Sequence, residues 1–235
     1  INLFSERSKF LLTFYLLDTS INFFQYNSFM KIKIRNYLSA TFFTLTLIFS
    51  YYLGIAYYDI TTGLDFNKYI NNIYFFSNES SSIFDSQGTI YFWTIAKFVG
   101  FSKEMYQDAN LSNLINNKIQ FINLIYYLIA LLGLFNLLKI EKFSFSRIMY
   151  SLSVLNFFPP GFYLRLTMKP EIMAFAFLPW LIIFITYYLK KPTVLKTLVL
   201  SIFLSVMLTI KASITGMVLL VLLFLYGKIF FKLKN

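Results

Sequence analysis

The run from Tyr37 to Tyr58 contains no charged residue, and this limits the chain more than any other feature does. Twenty-two residues at about 1.5 Å per residue cover the ~30 Å hydrocarbon layer of a bilayer, whereas helices of soluble domains rarely stay uncharged over such a length. Further apolar runs follow at 119–138, 143–158, 172–189, 194–210 and 214–231, separated by short basic connections. The composition agrees: 58% of residues are hydrophobic and 13% charged, about half the charged fraction of a soluble domain. The expected fold is therefore all-α, a polytopic membrane bundle of about six transmembrane helices. A cleaved signal peptide is disfavoured for the first run, because its apolar core is too long.

Residues 1–29 read as an upstream extension or a cytoplasmic N-terminal segment. Met30-Lys31-Ile32-Lys33-Ile34-Arg35 has the form of a natural start, a methionine and a basic patch ahead of a membrane segment. Phe10 to Leu17 is apolar but too short to span. Residues 30–235 form the membrane domain.

The distribution of cations sets the expected topology. Lys31, Lys33 and Arg35, then Lys139, Lys142 and Arg147, then Lys190, Lys191 and Lys196, and finally Lys228, Lys232 and Lys234 fall on one side if there are six spans. The long connection 59–118 carries only Lys68, Lys97, Lys103 and Lys118 against six acids. The positive-inside rule then places the Met30 end inside and this connection outside. Merging the last two runs into one kinked helix would put the basic C-terminus outside. The net charge of +11 has this topological explanation, and the scatter of the bases argues against a nucleic-acid partner.

The 59–118 connection is too long to be structureless. Phe66, Tyr69, Ile70 and Ile73 recur at helical spacing, with Asp65 where an N-cap would stand. A second helix is predicted from Ile90 to Val99, after Thr89 and before Gly100. Both are expected to lie on the outer membrane surface. Farther along, Pro159-Pro160-Gly161 should end the third run early, because one ring removes a backbone donor and the next forces its predecessor out of the helical region.

With neither cysteine nor histidine, acid–base chemistry falls to Asp, Glu, Lys, Arg or Tyr. No Gly-rich phosphate loop, zinc spacing or internal repeat is present. The ionisable groups expected on the outer side are Asp59, Asp65, Arg165, Lys169, Glu171 and Lys211. Glu171 and Lys211 come nearest to membrane depth by position in the sequence, where a charge is costly and usually functional. A carboxylate beside two or three cations suits an anionic lipid phosphate held while an acceptor hydroxyl is deprotonated.

Three segments carry a family resemblance: Gly63-Leu64-Asp65-Phe66-Asn67-Lys68-Tyr69, Gln87-Gly88-Thr89-Ile90-Tyr91-Phe92 and Arg165-Leu166-Thr167-Met168-Lys169-Pro170-Glu171. Together with the large first external loop, they resemble the GT-C superfamily of integral-membrane glycosyltransferases, in particular bacterial relatives of protein mannosyltransferases and aminoarabinose transferases. The resemblance covers about residues 30 to 231. It implies transfer of a sugar from a polyprenyl-phosphate donor to a lipid, glycan or protein acceptor at the outer face of a bacterial cytoplasmic membrane. It assigns Asp65 as the first-loop acid, with Asp59 in reserve, and Glu171 as the second acid. Arg165, Lys169 and Lys211 become candidates for the phosphate, and Gln87 and Tyr69 for substrate. No cofactor is certain, and relatives differ in needing a divalent cation. The family usually has more spans and a C-terminal external domain, so the chain is expected to be a piece of a longer protein.

Each residue also has a plainer role. Asp65 can act only as a cap, Arg165, Lys169 and Lys211 can snorkel to headgroups, Glu171 can complement a helix dipole, and Gln87-Gly88 can form a turn. A polysaccharide polymerase, a flippase or a transporter subunit is the alternative to transfer, with the same charges lining a passage, and an inactive fragment is a further alternative.

Overall fold

A computed structural model of the chain describes residues 30–56, 66–78, 89–99 and 109–210, together with a few helical positions between 216 and 227. Every regular element among the described residues is a helix. They are α1 (Met30–Ala56), α2 (Phe66–Asn78), α3 (Thr89–Val99), α4 (Ala109–Ile140), α5 (Phe145–Leu155), α6 (Pro159–Leu166), α7 (Glu171–Lys190) and α8 (Val194–Ile210).

Three of these are long and apolar enough to cross a membrane: α1, the Asn116–Ile140 part of α4, and α7. α8 is apolar but shorter. The chain is therefore an integral membrane protein in character. α4 starts ten residues before the expected boundary at Ile119, because hydropathy marks where a helix leaves the bilayer and not where its hydrogen bonds end. α3 begins at Thr89, one residue before its expected start.

The third apolar run forms an eleven-residue helix, α5, only about 16 Å long. Its end tightens into three successive short-range bonds, Asn156 N to Ser153 O, Phe157 N to Val154 O and Phe158 N to Leu155 O, each 3.2 Å. Phe158 is extended, at φ −65° and ψ 119°, as a residue before proline should be, and Pro159 and Pro160 occupy the first turn of α6.

Packing contacts fix the direction of each helix. Tyr37 and Phe145 line one cavity, Phe42 meets Tyr150, Asn156 bonds Thr46, and Leu166 lies against Gly54. The broken pair α5–α6 therefore runs parallel to α1 from the level of Tyr37 to that of Gly54, about 26 Å. α4 and α7 are also parallel: Tyr127 stacks on Phe175, and Trp180 Nε1 donates to Ile129 O at 3.0 Å. Gly133 admits Pro179 and Trp180 at a distance where a Cβ would fall 2.8 Å from the indole nitrogen. Proline inside α7 removes one ladder bond, and the close α4 contact supports the helix there. α8 packs on α7 through Phe203, which meets Phe177 and Phe184 edge-on.

These directions collect the basic segments. Lys31, Lys33 and Arg35 begin α1, Lys139 to Arg147 join α4 to α5, and Lys190 to Lys196 join α7 to α8, all at one end of the bundle. Lys196 Nζ caps the Tyr187 and Lys191 carbonyls at 3.3 and 2.8 Å. The α4 terminus closes with paired bonds, Lys142 N to Lys139 O at 3.0 Å and Phe143 N to Leu138 O at 3.1 Å, around Lys142 at φ 62°. The opposite end holds α2, α3, α6 and the start of α7. Its core includes Tyr91, Phe92, Ile95, Ile119 and Ile172, all fully buried.

In lipid, apolar burial gives helices little reason to associate, so close packing and interhelical hydrogen bonds dominate. Gly54 shows the first of these. Leu166, fully buried, occupies the space a side chain would need. Gly54→Val is expected to destabilise the protein by about 1–3 kcal/mol in detergent thermal unfolding, with partial recovery in the Gly54→Val, Leu166→Ala double variant. An unchanged midpoint for the single variant would mean that α1 does not seat on α6.

Candidate functional site

Two polar clusters tie the helices together at and above the α5–α6 break. In the first, Asn156 is fully buried at the break. Its Oδ1 accepts from Tyr127 Oη at 3.0 Å, and its Nδ2 donates to Thr46 Oγ1 at 3.0 Å. Thr46 Oγ1 donates in turn to Phe43 O at 2.8 Å. One side chain thus joins α1, α4 and the break.

Nine residues on, Arg165 is also fully buried, at 0% exposure. Its Nη1 donates to Ser50 Oγ at 3.2 Å, while Ser50 Oγ donates to Leu47 O. The guanidinium carbon lies 4.9 Å from the ring centre of Tyr127 and 5.2 Å from that of Phe162. Nε and Nη2 are buried with no hydrogen-bond partner, and no carboxylate among the described residues pairs with the group. Ser50 stands six residues before Ala56, the last described residue of α1, about 9 Å along the helix. Arg165 is therefore enclosed beside an apolar helix long enough to cross a membrane, whereas the sequence pointed to Glu171 and Lys211 as the charges nearest membrane depth.

The second cluster links the surface helices to the connection after α6. Tyr91 Oη donates to Asn123 Oδ1 at 2.9 Å, and Asn123 Nδ2 donates to Thr167 O at 2.8 Å. Burial pushes the Tyr91 phenol far above its ordinary value. The Asn123 bond and the Lys169 backbone oppose this, whereas Tyr126 and Glu171 add to it. Tyr91 is thus neutral at physiological pH. Its contribution to stability is fully present below the ordinary phenol pKa and is lost only as the solution becomes strongly alkaline.

Lys169 extends its ammonium over the Tyr163 ring at 5.4 Å, and Glu171 opens α7 as its first-turn acid. Tyr69 is buried against Phe92 at 5.1 Å, and Phe92 meets Tyr91 at 5.3 Å. The structure thus gathers Arg165, Lys169, Glu171 and Tyr69 at one end of the bundle. Tyr69 serves there as a packing residue of α2 on α3. Asp59, Asp65, Gln87 and Lys211 lie outside the described residues. Among the described residues no group of three acidic side chains converges as a metal site would need.

Ser50, Tyr127, Asn123 and Asn156 were not singled out from the sequence. Ser50, Asn123 and Asn156 did carry a signal, since each is a polar residue inside an apolar run, where an unmatched hydrogen-bonding group is costly.

In comparisons with known proteins, no family model, curated protein or solved structure matches the chain.

The arrangement is an incompletely satisfied cation in an apolar setting, with two donors free to grip an anion. Because Ser50 keeps its own carbonyl partner, removing the guanidinium leaves no orphaned group there. Arg165→Met is therefore expected to stabilise the protein by about 1–4 kcal/mol in thermal unfolding without ligand. Clear destabilisation would reveal a counter-charge that this geometry does not contain. Tyr91→Phe, in contrast, leaves Asn123 Oδ1 unsatisfied and is expected to cost about 1–3 kcal/mol.

Proposed function

We propose that this chain is a membrane glycosyltransferase domain that moves a sugar from a polyprenyl-phosphate-sugar donor to a lipid, glycan or protein acceptor at the external face of a bacterial cytoplasmic membrane. The observation that carries this reading is Arg165, a buried guanidinium with two open donors. A lipid phosphate admitted by local opening of the packing around Arg165 would fill both donors with charge-assisted bonds.

In this reading the basic end faces the cytoplasm, as the positive-inside rule requires, and the bundle has about six spans, the α5–α6 pair forming one interrupted crossing. Lys169 adds a second cation for the phosphate as the glycosyl bond to it breaks, and Lys211 a third. Asp65, with Asp59 in reserve, takes the proton of the acceptor hydroxyl as that oxygen bonds the sugar carbon, and Glu171 orients the site. Gln87 and Tyr69 contribute to substrate binding. The resemblance of the three short segments to GT-C enzymes supports this assignment of roles.

A second reading, a flippase, polymerase or transporter subunit, is favoured by the helix break beside a buried charge, since interrupted helices often form transport sites. The two are separated by assaying the full-length protein in vesicles with a polyprenyl-phosphate sugar. Transfer predicts a glycosylated acceptor and a loss of roughly 10²-fold in Arg165→Lys, which lacks the bidentate fork. Asp65→Asn should be similarly impaired, and unchanged transfer in that variant would remove Asp65 from the mechanism. Movement of labelled donor across the bilayer with no acceptor product would support the second reading.

A further inference from the structure

A cavity of about 340 Å³ opens at the other, basic end, between the first turns of α1 and the start of α5. It is lined by Lys33, Asn36, Tyr37, Ala40 and Phe145. This volume falls within the ~300–1,000 Å³ range of small-molecule sites. The four α1 residues recur at helical spacing and so form one stripe. The lining is mostly apolar, and its two polar residues, Lys33 and Asn36, come at the N-terminal end of the stripe, ahead of Tyr37 and the small Ala40. Phe145 of α5 forms the facing wall. That order matches an amphiphile lying along the helix, with a polar head at the membrane surface and a hydrocarbon chain pointing inward.

The sign of the charge selects among amphiphiles. Lys31 and Arg35 flank Lys33 in the chain, and Lys142 and Arg147 bracket Phe145, with Glu141 the lone acid of that connection.

We propose that this cavity is a site for an anionic phospholipid, its headgroup phosphate on Lys33 and Asn36 and an acyl chain against Tyr37, Ala40 and Phe145. The site is separate from Arg165 and does not depend on the transfer reaction. Occupancy would fix the lateral packing of α1 on α5 and anchor the basic end to anionic lipid.

The test uses the full chain carrying Tyr37→Trp, reconstituted in phosphatidylcholine vesicles containing a small fraction of either dibrominated phosphatidylglycerol or dibrominated phosphatidylcholine. Quenching of the parent chain, from Trp93 and Trp180, gives the baseline. The brominated anionic lipid is expected to quench the introduced indole at roughly five-fold lower mole fraction than the zwitterionic one, the factor one lysine contributes near an anionic surface. Adding Lys33→Glu should abolish that preference. Ala40→Leu, which fills the floor of the cavity, should reduce quenching by the anionic lipid. Lys97→Glu, an equal charge change at an exposed position of α3, should leave the preference intact. Equal quenching by the two lipids, no quenching by either, or equal loss in Lys33→Glu and Lys97→Glu would overturn the proposal.

Discussion

Placing a guanidinium inside an apolar bundle, with no carboxylate paired to it among the described residues, is the constraint on which the rest of this structure turns. Desolvation of such an ion costs several kcal/mol, and one hydroxyl and two aromatic faces offset only part of it. The surrounding architecture makes that burial achievable. The Pro159-Pro160 break directs α6 along α1, Gly54 lets Leu166 approach, and Ser50 meets Arg165 at 3.2 Å. Asn156, bonded to Thr46 and Tyr127, holds the break in register beneath the charge.

The bundle divides its chemistry between two ends. One collects the basic connections, whose lysines and arginines are mostly exposed. The other has few exposed cations but holds the buried polar contacts: Arg165 with Ser50, Tyr91 with Asn123, and Asn123 with Thr167. A similar distinction holds for stability and function. The Tyr91–Asn123–Thr167 chain is satisfied and joins the surface helices to the bundle. Arg165 keeps two buried donor atoms without a hydrogen-bond partner, and the proposed anion site rests on them.

Much of the helical pattern was legible in the sequence because hydropathy and proline chemistry act locally. α7 and α8 follow the apolar runs almost residue for residue, α3 starts beside its predicted position, and the break falls where two rings in succession demand it. The start of α4 at Ala109 was not legible, since Asn110, Ser112, Asn113 and Lys118 are poor membrane residues yet acceptable in a helix. Nor was the burial of Arg165. Sequence position placed the segment from Phe162 to Glu171 at the outer end of the bundle, and only the packing of α6 along α1 shows that Arg165 is fully enclosed beside Ser50. The bonds from Asn156 to Thr46 and from Arg165 to Ser50 join residues 110 and 115 positions apart, beyond the reach of any periodicity argument.

The central claim, that the unpartnered donors of buried Arg165 bind an anion within the bundle, is tested most directly by following its guanidinium Nε–H resonance, assigned with Arg165→Lys, during titration with a polyprenyl phosphate in detergent micelles. A saturable downfield shift confined to Arg165, absent with the corresponding polyprenol, is the predicted result. An unchanged Arg165 resonance at concentrations that saturate the protein with lipid would contradict the account.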